Sequence, residues 1–346
     1  MENFEERLQK LAEVAVRVGL NVQLGQEIVI SANLNEAALV RRIVVEAYKA
    51  GAKNVAVMYG DDENTLARFQ YGSQAALEYA PQWQIDGVAR AYEEGAARLA
   101  IYGNNPALLK DIDPEKVATH SKVMGAASKR LGELISGFAV NWSILSHASP
   151  EWAKLVFPND PEEVAVEKLW DAIFKTSRVD TPDPVAAWQA HDDTLRAHAR
   201  RLNQKRYSAL HFRGPGTDLR VGLAEGHIWV GGSGVAKNGV RCVPNIPTEE
   251  IFTMPHRDRV EGTVSATKPL SLRGQVLEGI QVRFEGGTVA EVKASKGQVV
   301  LEKLLETDEG ARRLGEVALV PHSSPVSQTG ILFFNTLFDE NAASHI

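Results

Sequence analysis

Residues 27–59, EIVISANLNEAALVRRIVVEAYKAGAKNVAVMY, contain a complete strand–helix–strand unit, and the fold follows from it. Glu27-Ile28-Val29-Ile30-Ser31 is a short apolar run of strand length. Asn35 stands as the cap of a helical pattern that places Ala38, Leu39, Ile43, Val44 and Ala47 on one face. Gly51 occupies the position where a helix exit takes a left-handed residue, and Lys53-Asn54-Val55-Ala56-Val57-Met58-Tyr59 is the second strand. Two strands joined by a helix must pair in parallel, with a right-handed crossover.

Working outward, the pattern recurs twice. A helix ending near Gly95 leads into Arg98-Leu99-Ala100-Ile101-Tyr102, and a helix from about Pro114 leads into Phe138-Ala139-Val140-Asn141-Trp142. Tyr48-Lys49-Ala50-Gly51-Ala52 and Tyr92-Glu93-Glu94-Gly95-Ala96 resemble each other as two helix-to-strand exits with like cap chemistry. Two helical stretches follow, at 161–177 and 184–204, the second carrying His191, Asp192, Asp193 and His198 on a charged face. These elements predict an α/β layered domain with a parallel sheet over residues 1–205.

From Ser208 the character changes to short, glycine-punctuated strands. They are Leu219–Leu223, His227–Val230, Gly262–Ala266, Gly279–Phe284 and Thr288–Val292, with a hairpin signal at Glu285-Gly286-Gly287 and one helix over Val299–Arg313. Residues 206–346 therefore read as an α+β domain with a largely antiparallel sheet.

Composition narrows the function. The chain has 346 residues, 44% hydrophobic and 24% charged, with a net charge of −6, a balance that fits a globular protein and offers no basic stripe for nucleic acid. The start, Met1–Gly19, is amphipathic rather than a basic leader with an apolar run, and no stretch is apolar enough to span a bilayer. The expectation is a soluble cytoplasmic protein. A lone cysteine, Cys242, excludes an intrachain disulfide and a CxxC zinc site and reads as a small buried apolar residue. HExxH, GxSxG and GxxxxGK[ST] are absent, and neither Gly214-Pro215-Gly216 nor Gly232-Ser233-Gly234 opens a helix after a strand as a dinucleotide fingerprint requires.

Three segments concentrate acids and a histidine: Asn245–Pro255 with Glu249 and Glu250, Leu314–Val320 with Glu316, and Leu337–Ile346 with His345. Singly, each has a bland explanation as solvated loop acids or a terminal residue. Glu316 leads directly into an apolar strand, and Pro247 and Pro255 stiffen the loop around Glu250. Two carboxylates and an imidazole, if they converge, suit a borderline divalent ion such as zinc, cobalt or manganese. Spacing alone does not say that they converge.

Those three segments resemble the signatures of the M29 peptidase family, the thermophilic metallo-aminopeptidases of the aminopeptidase T type. The strings Pro-Thr-Glu-Glu-x-Phe-Thr-x-Pro and Leu-Phe-Asp-Glu-Asn-Ala-Ala-x-His carry most of the resemblance. It extends over the whole chain, through Leu20–Gln26 and Glu225-Gly226-His227-Ile228-Trp229. It implies Glu250 and His345 as metal ligands, Glu316 as the ligand shared by two divalent ions, release of N-terminal residues from peptides, and a homodimer. It further implies a tyrosine and a His-x-Asp pair beyond His345, so that the chain reads as truncated relative to the family and holds part of the metal site. Glu249, beside a ligand, is the candidate general base. The competing expectation is a metal- or peptide-binding relative without activity. His227 alternates with apolar neighbours as a strand-face residue, and His322 with Ser323 and Ser324 lies at a strand end without a nucleophile elbow.

Overall fold

The computed structural model describes residues 3–103, 105, 108–272 and 275–346. The chain forms two compact units, Met1–Ala190 with Ser233–Pro247 and His191–Gly232 with Thr248–Ile346. Sequence patterning suggests one boundary near residue 205. In the structure the division falls inside the helix Pro184–Lys205, and a later loop returns to the first unit.

In the first unit β1 (Glu27–Asn33), β2 (Asn54–Gly60), β3 (Ala97–Tyr102) and β4 (Trp142–Ser146) form a parallel sheet in the order β2-β1-β3-β4. The 27–59 unit appears as expected, with seven consecutive pairs from Glu27↔Asn54 to Asn33↔Gly60 and Gly51 at φ 95°. The cap differs from expectation. Asn33, not Asn35, takes that role: it begins the capping box whose Glu36 carboxylate accepts the Asn33 N–H at 2.7 Å, ahead of the helix Ala37–Lys49.

The fourth strand also starts later than its sequence suggests. Phe138 to Asn141 form the exit of the helix Lys129–Ser136, with Phe138 left-handed at φ 51° and the Ala139 N–H donated to the Leu134 carbonyl. The strand proper contains Ser143 and Ser146, both buried, and such serines hide a strand from an apolar pattern. The Ser143 hydroxyl donates to the Val243 carbonyl at 2.8 Å, which satisfies it.

The second unit is built on a sheet of β5 (Ala209–Gly214), β6 (Thr217–Leu223), β8 (Pro255–Ser265), β9 (Gln281–Glu285) and β10 (Thr288–Lys293), in the order β10-β9-β8-β6-β5, with antiparallel neighbours. A separate pair joins β7 (Ile251–Thr253) to β11 (Val317–Leu319). Gly286 and Gly287, at φ 55° and 76°, make the turn between β9 and β10 that two successive left-handed residues require. Gly214-Pro215-Gly216 is the turn between β5 and β6, not a phosphate cradle.

Residues 227–229 do not form the expected strand, and Val230 makes a single antiparallel bridge to Phe252 of β7. The His227 N–H turns back to the Ala224 carbonyl, and the Asn203 side chain bonds both the N–H of Trp229 at 2.8 Å and its carbonyl at 2.9 Å. A side chain there does what a neighbouring strand would do. The helix expected to reach Arg313 ends at Leu305, and Asp308 then accepts the N–H groups of Gly310 and Ala311 in a turn. Leu219, Val221, Trp229, Ile251, Val260, Phe284 and Val317 form the core of this unit.

Candidate metal centre

Alternation along β7 and β11 separates core from site. Ile251 and Val317 point into the core and Thr253 is buried with them, so Glu250, Phe252, Glu316 and Ala318 take the opposite face. The pairing runs Ile251↔Leu319, Phe252↔Ala318, Thr253↔Val317. Glu250 thus lies just past one end of this short ladder and Glu316 just past the other, about 14 Å apart along the strands. Two glutamate side chains directed inward meet over the middle. There the buried methyl group of Ala318 leaves space, and Ala318 exchanges both backbone hydrogen bonds with His345, at 2.9 and 3.1 Å.

The three side chains implied as ligands therefore converge. His345 Nε2 lies 3.2 Å from Glu250 Oε2 and 3.4 Å from Glu316 Oε1, and one donor atom from each of the three residues falls within 4.8 Å of the others. Among the described residues this is the only such gathering of three acidic, histidine or cysteine side chains. His345 Nδ1 is 3.0 Å from the Ala343 carbonyl, an acceptor, so Nδ1 carries the proton and Nε2 turns its lone pair toward the two carboxylates. That arrangement is repulsive unless a cation sits among them. A proton serves in the metal-free chain: burial works to lower the imidazole pKa, but hydrogen bonding to Glu250 and Glu316 overrides it and raises His345 to about 10. Two carboxylates and an imidazole whose other nitrogen is held by a backbone carbonyl match the donor set and outer contact of a divalent transition-metal site.

Glu340 is a fourth acid at the cluster, and the sequence reading passed over it. Burial first, then the negative charge of Glu250, push its carboxyl up to about 7; His345 opposes this and Glu316 adds to it. Its clue was its place inside the terminal string that ends at His345.

That string also builds the support. The Asp339 carboxylate accepts the N–H groups of Phe333 and Asn335 at 2.8 and 3.0 Å, and Phe338 stacks on Phe333. Asn341 is fully buried. Its amide oxygen accepts the Glu249 N–H at 2.6 Å, its amide nitrogen donates to the Leu337 carbonyl, and its carbonyl accepts the Ser324 hydroxyl. The Ser344 hydroxyl accepts the Val320 N–H. Two segments distant in sequence are thereby clamped at the residue preceding Glu250.

Glu249 is 2% exposed, and its Oε2 lies 3.6 Å from Nε2 of His191, which also contacts the Thr248 carbonyl at 2.8 Å. Asp192, Asp193 and His198 do not join the cluster. His227 caps its own turn through Ala224, and His322 is exposed beside the Ser327 hydroxyl at 3.2 Å. Cys242 is buried as expected, and burial raises its thiol to about 11.

The family model for thermophilic metalloproteases (M29) matches residues 4–346. Aminopeptidase T of Thermus aquaticus is 54% identical over 346 residues, which span all of this chain and 85% of that protein. Aminopeptidase 2 of Geobacillus stearothermophilus is 45% identical over all of this chain and 84% of its own length. A solved structure, wild-type AmpT from Thermus thermophilus, matches with a TM-score of 0.94 and 51% identity, covering 99% of this chain and 84% of that one. No helix among the described residues is long and apolar enough to cross a membrane.

Proposed function

The chain belongs to the M29 family of thermophilic metalloproteases, and from that we propose that it is a metal-dependent aminopeptidase. It releases N-terminal residues from peptides in the cytoplasm, as a homodimer holding two divalent ions, zinc, cobalt or manganese. The observation that carries this reading is the convergence of Glu250, Glu316 and His345 on one point in a chain whose relatives are named aminopeptidases.

Glu250, Glu316 and His345 would hold the divalent ions. When bound, such ions supply a Lewis acid for the scissile carbonyl and bring the pKa of a water toward neutrality. The remaining steps fall to side chains. Ala343 and Asn341 hold His345 and the Glu249–Glu250 segment in place, so little reorganisation is needed on substrate entry. A carboxylate beside the ligands takes the proton of the attacking water and passes it to the leaving amine. Glu249 is one candidate, held by His191 and Asn341. Glu340 is the other: its carboxyl, held near 7, is matched to proton transfer near neutral pH, and cations among its neighbours would draw it back toward the carboxylate form.

Hydrolysis of leucine p-nitroanilide, after stripping with EDTA and refilling with each metal, tests the reading. Activity should return with metal and be lost in Glu250→Gln and Glu316→Gln. Glu249→Gln and Glu340→Gln separate the two bases: loss of kcat with metal affinity kept marks the proton carrier. A folded protein that binds metal yet hydrolyses nothing with any of the three would move the conclusion to a binding protein.

A further inference from the structure

The face of the β7–β11 pair that carries the candidate ligands also carries apolar side chains, and these lie uncovered. Val230 exchanges both backbone hydrogen bonds with Phe252, at 3.0 and 2.8 Å, so it extends the row of paired residues His345, Ala318 and Phe252 by one more. Residues paired in this way share a face. The Thr253 hydroxyl donates to the Ile228 carbonyl at 2.9 Å, which holds the segment before Val230 along β7. Alternation then sorts the side chains. Trp229, Ile251 and Thr253 are buried on one side, while Ile228, Val230, Phe252 and Met254 take the other, with Glu250 and Glu316.

Ile228 and Met254, 67% and 64% exposed, are the two most exposed large apolar side chains among the described residues of the second unit. Val230 is 45% exposed and Phe252 is half-buried. One such residue on a surface needs no account, but four that adjoin mark a contact surface. Its position is set by the ladder. Phe252 lies about 5 Å from Ala318, over which the three ligands meet, and Val230 lies about 5 Å farther out. The register Thr253↔Val317, continued by one residue, sets Met254 beside Glu316. Among the described residues no further segment pairs beyond Val230, so the strip begins at the cluster and ends about one large side chain away.

We propose that this strip receives the side chain of the substrate's N-terminal residue and makes the protein prefer large apolar residues at that position. The proposal rests on the aminopeptidase reading above, in which the scissile carbonyl sits at the cluster. An occupant of the strip must start at the cluster, be apolar, and be one side chain long. The side chain of the residue whose carbonyl is attacked meets all three conditions, because it branches from the carbon next to that carbonyl. Ile228, Val230, Phe252 and Met254 bring no charge, so a glutamate or lysine side chain laid there would shed water without gaining a partner. Trp229 and Ile251, packed in the core behind the strip, hold its backbone in place, so little ordering is needed when a side chain enters.

The manganese-loaded full chain is assayed on the leucine, phenylalanine, alanine and glutamate p-nitroanilides and on Ala-Leu against Ala-Gly. Val230→Lys and Met254→Ala are run beside it, each checked for folding by circular dichroism. Binding of L-leucinol against 2-aminoethanol, read by isothermal titration, follows the side-chain contact apart from turnover. In the wild type, kcat/KM for the leucine and phenylalanine compounds should exceed that for alanine and glutamate at least about tenfold, and leucinol should bind more tightly than aminoethanol. Met254→Ala should cost the two large substrates about tenfold more than it costs alanine, and Val230→Lys should lower the leucine-to-glutamate ratio at least about tenfold. Ratios unchanged in both variants, or a shift confined to Ala-Leu against Ala-Gly, overturn the strip and leave the aminopeptidase standing. A wild type that hydrolyses nothing, yet whose preference for leucinol is lost in Val230→Lys, sinks the aminopeptidase and keeps the strip as a side-chain site. No hydrolysis and equal binding of the two amino alcohols overturn both.

Discussion

Metal binding at Glu250, Glu316 and His345 should expel a proton, and the structure says how strongly. Nε2 of His345 holds its proton up to about pH 10 in the metal-free chain, because two carboxylates face it. At pH 8 only about 1% of the sites present a bare nitrogen, so the apparent affinity for an ion lies on the order of a hundredfold below the intrinsic one. That deficit closes tenfold per pH unit between 7 and 10. Below pH 7 the slope steepens, because Glu340, raised to about 7, is then protonated as well. Isothermal titration with manganese in two buffers of different ionisation enthalpy counts the protons directly. About one per ion entering the cluster is expected at pH 8, and more at pH 6. His345→Ala should abolish the release at pH 8. An affinity that stays flat from pH 7 to 9, or a release near zero in the wild type, would refute the reasoning.

Three further outcomes follow from contacts elsewhere. Burial, opposed by the Asn33 N–H, raises Glu36 to about 7, so its contribution to stability is complete below about pH 4.5 and lost as pH rises through 7. Glu36→Gln should therefore gain roughly 2–3 kcal/mol over the wild type at pH 8 and little at pH 4.5, read from denaturant curves; an equal effect at both values would contradict it. Asn341→Ala leaves the buried Glu249 N–H without its acceptor, which should cost about 1–3 kcal/mol and weaken metal binding about tenfold in titrations; unchanged affinity would separate Asn341 from the site. Gly287→Ala should destabilise far more than Gly286→Ala, by at least ~2 kcal/mol in thermal melts, because a Cβ at 287 overlaps the Arg257 carbonyl while one at 286 meets open space.

Much of this protein was legible in one dimension. The spacing of apolar residues over 27–59, closed by Gly51, determined a parallel pair and its crossover helix, because each signal is local: a period, a cap and a stop. Local chemistry likewise announced the turn at Gly286-Gly287, and the terminal string announced the family. Where a distant partner supplied the hydrogen bonds, local reading failed. Ser143 and Ser146 lie in a strand because the fold buries and pairs that segment, and residues 227–229 stay irregular because Asn203 serves the backbone of Trp229. The candidate metal site belongs to the same class. Glu250 and Glu316 show their chemistry in sequence, but their meeting depends on the register of β7 against β11 and on His345 bonding to Ala318. A one-residue slip of that register would turn a ligand into the core. The proton on His345 and the raised carboxyl of Glu340 exist only after folding, since both arise from burial and from charges that the chain brings together at long range.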